Sequence, residues 1–204
     1  MLKPCHKKDC LEAGLDEAGR GCLAGPVFAA AVILPKGYKN KLLRDSKLLN
    51  SEQRQLLRTD IEKHALCFSV KSVDEKTIDK INILKAAIRA MHLSLDELIH
   101  TPDHLVVDGN YFLSWNGIPH TTVIKGDNTY MNIAAASILA KTYRDEFMEE
   151  LHHHHPEYNW INNKGYGTKA HVSAMKQYGL TSYHRLSFNV KSLQLQLFNS
   201  ETNE

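Results

Sequence analysis

No stretch of this sequence stays apolar for the roughly 18 residues that a helical bilayer span needs. Residues 1–10 are polar and basic and have no apolar h-region, so no secretory signal is read and the expected compartment is the cytoplasm. The four cysteines, Cys5, Cys10, Cys22 and Cys67, form no C-x-x-C pair, and free thiols are expected in a reducing compartment. Cys5, His6 and Cys10 lack a second ligand pair at zinc spacing, so the first residues read as a frayed terminus. A charge excess is missing too: 25 basic against 23 acidic residues leave a net +2. That excludes a histone-like binder but leaves room for a local basic groove. Internal repeats and low-complexity linkers are likewise absent.

What is present fits an ordinary soluble protein. The 204 residues are 43% hydrophobic and 24% charged, enough for one domain with its own core, or one domain with a helical extension. Apolar patterning predicts strands over residues 11–17, 26–34, 66–73, 104–107 and 119–124. Helices are predicted over residues 51–65, with Ser51 as N-cap and Leu56, Leu57 and Ile61 at core spacing, and over residues 77–99 as one long amphipathic helix. That long helix carries Ile78, Ile81, Leu84, Ile88, Met91, Leu95 and Leu98 on its apolar stripe. Two more follow, over residues 131–151, with a close-packing alanine run at 134–136, and over residues 169–178, ended by Gly179. The internal run His152 to His155 reads as a solvated helix end. The order implies a mixed α/β domain packed in layers.

Three acidic sites fall at predicted strand ends: Asp16 with Glu17, Asp108, and Asp127. Singly, each has a structural explanation: a solvated loop, an Asp-Gly turn, or a helix N-cap. Together they suggest a cage of hard oxygen ligands, because ligand sites in open α/β sheets gather beyond strand ends. Mg2+ or Mn2+ prefers such carboxylates, and no histidine sits beside them at zinc spacing. Two such ions about 4 Å apart could activate a water and stabilise the leaving oxygen at phosphorus. Crowded acids without cations should show raised pKa values. Chemistry through the RNA 2′-hydroxyl and a histidine pair is the other nuclease route, but no motif places any of the twelve histidines for it.

Ordered motifs run along nearly the whole chain: AGLDEAGRGCLAGP (13–26), DSKL (45–48), INILKAAIRAM (81–91), VVDGN (106–110), KGD (125–127), AAASILAKTYR (134–144), KGYGT (164–168) and HRLSF (184–188). In this order they resemble the type 2 ribonucleases H, the bacterial ribonuclease HII family. The resemblance implies a ribonuclease H-like fold: a five-stranded mixed sheet flanked by helices, with a helical C-terminal extension. It implies a catalytic domain over residues 1–186 and a tail over residues 187–204. It further implies an endoribonuclease that hydrolyses RNA in RNA–DNA hybrids and cuts 5′ of ribonucleotides embedded in duplex DNA, leaving 5′-phosphate and 3′-hydroxyl ends. Catalytic and metal-binding roles fall on Asp16, Glu17, Asp108 and Asp127, with Mn2+ or Mg2+ as cofactor.

Substrate-binding roles fall on Gly19, Arg20 and Gly21, whose backbone can approach a 2′-hydroxyl, on Tyr166, which would stack on the next sugar, and on Lys47 as a phosphate contact. By charge alone, Lys141, Arg144 and Lys169 are added to the phosphate contacts. Cys22 stands where the family often has proline, and Asn163 where it often has histidine. In the tail, QLQLF (194–198) resembles the peptide with which bacterial replication proteins dock on the sliding clamp, with Gln194, Leu195, Leu197 and Phe198 as contacts. The other reading of that tail is a terminal helix laying Leu193, Leu195 and Leu197 on the core. A monomer is expected. The competing functions are a resolvase-like metal-dependent DNA nuclease of the same superfamily, disfavoured by the Gly-Arg-Gly loop with Tyr166, and a non-catalytic hybrid-binding protein. Four acids speak against the binder, because gripping phosphates calls for Lys or Arg.

Overall fold

The structure is a computed structural model that describes residues 2–43 and 49–188. Lys47, the DSKL motif, and the tail residues Gln194, Leu195, Leu197 and Phe198 lie outside the described residues.

Five strands form one mixed sheet in the order β3-β2-β1-β4-β5. They are β1 (Glu12–Ala18), β2 (Val27–Ile33), β3 (Cys67–Val73), β4 (His104–Asp108) and β5 (His120–Val123). The first three pair antiparallel, while β1–β4 and β4–β5 are parallel. The chain passes from β3 to β4 through α2 (Glu75–Ile81) and α3 (Ile83–Asp96). Strand alternation divides the core. Ala13, Leu15, Ala29, Ala31 and Val107 face α3, whereas Ala30 and Val32 face α1 (Ser51–His64) and α4 (Met131–His154). The alanine run of α4 is fully buried. Close approach is needed there: a Cβ on Gly14 of β1 would lie 2.2 Å from the Asn132 backbone. The C-terminal part adds α5 (Trp160–Asn163) and α6 (Lys169–Tyr178), packed with the end of α4 around Trp160 and Tyr158.

Several expectations are corrected. Asn50, not Ser51, is the N-cap of α1, and a capping box with Gln53 satisfies both amides. Leu56 faces solvent at 61% exposure, leaving Leu57 and Ile61 as the buried pair. The helix expected over residues 77–99 is two helices. Asn82 breaks it at φ +68°, and its side chain accepts from the Lys85 amide to cap α3. The side-chain cap on the Lys85 amide holds Asn82 in this uncommon positive-φ conformation, which periodicity alone cannot reveal. Leu84, one residue into the new helix, is exposed in consequence. The N-terminal residues are not frayed: Lys3 pairs with Thr129 and Met131 backbones, and the His6 and Lys7 amides donate to Glu12. The histidine run does end α4, but His155 is half-buried and packs edge-on against Tyr158, Trp160 and Tyr183.

Candidate active site

The acidic residues meet at the carboxyl ends of the parallel strands. Leu15 of β1 pairs with Val107 of β4 and both point to α3, so the next residues, Asp16 and Asp108, share the α4 face. The Asp108 carboxylate accepts from the Gly126 amide at 2.7 Å, which ties the turn after β5 to the end of β4. Asp127 is the neighbour of that amide, inside a short 3-10 turn, and is 2% exposed. It does not cap α4, whose N-cap is Tyr130 with no side-chain bond. A Cβ on Gly126 would meet Ile133 Cδ1 at 2.4 Å, so any side chain here would force Ile133 to move.

Asp16 is 5% exposed, and burial, then the charges of Glu17 and Asp108, push its carboxyl well above the usual range. The Ser137 hydroxyl and the Glu17 amide oppose that shift. Glu17 is held by Arg20 at 2.9 Å. The structure therefore brings Asp16, Glu17, Asp108 and Asp127 to one sheet end, as the spacing in sequence cannot show. A folded-state pKa raised above the unfolded value means that metal-free Asp16 weakens the fold as pH rises through the ordinary carboxylate range. Asp16→Asn is expected to melt higher than the parent in chelator at neutral pH. A gain of about 1 kcal/mol would correspond to roughly 2–4 °C for a chain this size; an equal or lower melting point would contradict the crowding.

Beside the acids runs the loop from Gly19 to Pro26, and two buried arginines hold it. Arg144 donates to the carbonyls of Ala24, Pro26 and Lys164, and Arg185 to those of Gly25 and Arg20. Arg144 is 1% exposed and so is not a phosphate contact as its charge suggested. Lys141 is paired with Asp145 at 2.6 Å, while Lys169 stays at the exposed start of α6. Burial, then the charge of Arg144, lowers Arg185 to about 10, still far above neutrality. Gly19 has φ +95°, and a Cβ there would lie 2.0 Å from Arg144 Nε, whereas a Cβ on Gly21 meets nothing within 4 Å.

The Tyr166 loop is stitched to the same segment, because the Leu23 and Ala24 amides both donate to Gly165 O. Tyr166 is half exposed, and its hydroxyl lies near the buried Cys22 thiol. Asn163 donates to Tyr158 O and accepts from the Gly165 amide. The two departures from the family pattern thus both sit at the loop that carries Tyr166, and Asn163 braces it.

Behind Tyr166 lies a histidine pair that sequence reasoning missed. Trp160 Nε1 can only donate, so His171 Nε2 accepts at 3.0 Å and His171 Nδ1–H donates to Tyr166 O at 2.9 Å. The Thr181 amide donates to His184 Nδ1, which leaves the His184 proton on Nε2, facing His171 Nε2 at 3.3 Å. Each ring is therefore neutral. Burial lowers both, and the proximity of His171 helps bring His184 down to about 4. A histidine depressed in the fold loses stability as pH falls from about 6.5, where the unfolded ring begins to charge, through the folded value. His184 alone accounts for about 3 kcal/mol across that window. His184→Gln should flatten the acid limb of a melting-temperature profile between pH 6.5 and 4; an unchanged limb would contradict the neutral pair.

Comparison with known proteins decides the family. Residues 13–191 match the family profile described as Ribonuclease HII. The chain belongs to the ribonuclease HII family. A ribonuclease HII of Bacteroides thetaiotaomicron is 58% identical over 93% of this chain and 95% of its own length. Among solved structures, the ribonuclease H2 of Pyrococcus horikoshii OT3 matches with TM-score 0.72 and 25% identity, covering 87% of this chain and 93% of that one. The PCNA:RNase HII complex from Archaeoglobus fulgidus shares the fold with TM-score 0.74 and 24% identity, over 88% of this chain and 96% of that chain. As a member of this family the chain is a ribonuclease H hydrolase that cuts internally, and its five-stranded mixed sheet is the fold of these relatives. Among the described residues no helix is long and apolar enough to cross a membrane.

Proposed function

We propose that this chain recognises RNA paired with DNA, and single ribonucleotides within duplex DNA, and cuts on their 5′ side to leave 5′-phosphate and 3′-hydroxyl ends. One observation carries this reading: the loop of Gly19, Arg20 and Gly21 leaves β1 directly after Asp16 and Glu17 and is hydrogen-bonded to the loop of Tyr166. Groups that can read a sugar are thereby fixed to the strand that carries Asp16 and Glu17.

Asp16, Glu17, Asp108 and Asp127 would hold the metal. Their all-oxygen donor set suits Mg2+ or Mn2+, and the upward pressure on Asp16 is what a cation relieves. Bound ions of this kind lower the pKa of a water and neutralise charge at the phosphate. The chain's own residues set the geometry. Arg144 and Arg185 keep the glycine loop rigid, so its backbone meets the substrate preorganised. Gly21 lacks the Cβ that would separate its backbone from a 2′-hydroxyl. Tyr166 is half exposed, which leaves its ring open to stack on the sugar that follows the ribonucleotide. Tyr166→Ala is expected to raise KM on a single-ribonucleotide duplex about tenfold and to reduce preference for an RNA–DNA junction; an unaltered cleavage pattern would remove Tyr166 from recognition.

The test is a DNA duplex with one ribonucleotide, incubated with Mg2+, Mn2+ or chelator beside an all-DNA control. Metal-dependent cutting immediately 5′ of the ribonucleotide supports the reading. Cutting of the control favours a resolvase-like nuclease, and tight binding without cutting favours a hybrid-binding protein. The PCNA complex of the Archaeoglobus relative supports a clamp-docking role for the tail residues Gln194, Leu195, Leu197 and Phe198. A peptide of residues 188–204 that fails to bind a bacterial clamp would end that part of the proposal.

A further inference from the structure

The amino end of β1 carries a second group of metal-competent side chains, at the opposite end of the strand from the acids. His6, Glu12 and His104 offer ligand atoms that all lie within 4.8 Å of one another. Glu12 opens β1 and His104 opens β4, where the two are register partners, and both are 4% exposed. His6 comes from the N-terminal segment, and its ring stacks on His104 at 5.5 Å between centroids.

The geometry points to a zinc site formed by His6, Glu12 and His104. His104 Nδ1 and Glu12 Oε2 are 3.1 Å apart. Two ligands each about 2.0–2.1 Å from a Zn2+ ion fall at about that separation. In the metal-free chain a hydrogen bond bridges that gap. Zinc would take its place, with the ring's one proton moving to Nε2. There Thr121 Oγ1, 3.1 Å away, accepts it. Zinc-bound histidines generally need such an outer partner to fix the ring. The carboxylate is oriented in the same way: the His6 and Lys7 amides donate to Oε1 and Oε2 at 2.8 Å each, and Asn132 Nδ2 reaches Oε1 at 3.4 Å. Two imidazoles and one carboxylate are a zinc set rather than a magnesium set. Water completes the coordination. The site differs from the hard-oxygen cluster of Asp16, Glu17, Asp108 and Asp127, and it would lock the N-terminal segment to β1 and β4.

The experiment is a Zn2+ titration of the chelator-stripped full chain, read by bound-metal stoichiometry after dialysis and by melting temperature. It is carried out on the parent, on Asp108→Asn, on the His153→Ala/His154→Ala double variant, on His6→Ala, and on Cys5→Ser and Cys10→Ser. Exposed His6 can be removed without opening the core. The expected result is one tight equivalent in the parent, in Asp108→Asn, in the double variant and in both serine variants, with a raised melting temperature, and at least a tenfold weaker site in His6→Ala. A Zn2+ equivalent that survives in His6→Ala, or one lost with either cysteine, with Asp108 or with the His153–His154 pair, overturns the assignment, as does a parent that holds no tight equivalent.

Discussion

Asp108→Asn is expected to lower cleavage of an RNA–DNA hybrid by about a thousandfold, roughly 4 kcal/mol of transition-state stabilisation, while the duplex still binds. The reason is local. Asp108 shares the α4 face with Asp16, and its carboxylate holds the Gly126 amide beside Asp127. An asparagine can still accept that amide through its carbonyl oxygen, so the turn survives while the negative charge is lost. The measurement is single-turnover cleavage together with a binding titration and a melting curve. A variant that keeps more than about a tenth of the parent rate would remove Asp108 from the catalytic set. Lost binding along with lost activity would place the residue in substrate recognition instead.

The second large effect separates two glycines only two residues apart. Gly19→Ala is expected to cost about 3 kcal/mol or more, because φ +95° disfavours an L side chain and the new Cβ would collide with the buried guanidinium of Arg144. The melting temperature should fall by roughly 10 °C. Gly21→Ala should stay within about 0.5 kcal/mol of the parent, since its Cβ would enter open space. Its effect should appear in specificity, as about a tenfold loss of preference for RNA over DNA at the cut site, the worth of about one hydrogen bond. Equal melting losses in both variants would mean that the loop is only a tight turn; unchanged discrimination in Gly21→Ala would take the 2′-hydroxyl reading away from it.

How far the sequence alone leads depends on the kind of signal. Strands that are apolar on both faces, such as β2 with its run from Val27 to Ile33, announce themselves, and all five strand positions are legible to within a residue or so. The strand order is not, because which β-strand lies beside which is decided by crossovers and not by pattern. The break at Asn82 escapes periodicity for a related reason: the apolar stripe continues on both sides of a corner set by one left-handed residue. The acids are legible as strand-end carboxylates, yet only the register of Leu15 with Val107 shows why Asp16 and Asp108 meet. Arg144 misleads in the opposite direction. A charge in a helix reads as a solvent or phosphate contact, whereas here the guanidinium is buried and satisfies three loop carbonyls. Arg185, His171 and His184 have no sequence signature beyond the family motifs, because their role is defined by partners up to 165 residues away.

The central claim is that Asp16, Glu17, Asp108 and Asp127 act as one metal-holding constellation, and a Mn2+ titration of the chelator-stripped chain followed by electron paramagnetic resonance tests it most directly. Saturable Mn2+ binding in the parent, weakened at least tenfold in both Asp16→Asn and Asp108→Asn with the folds intact, is the predicted result. Equal Mn2+ affinity in the parent and both variants would contradict it.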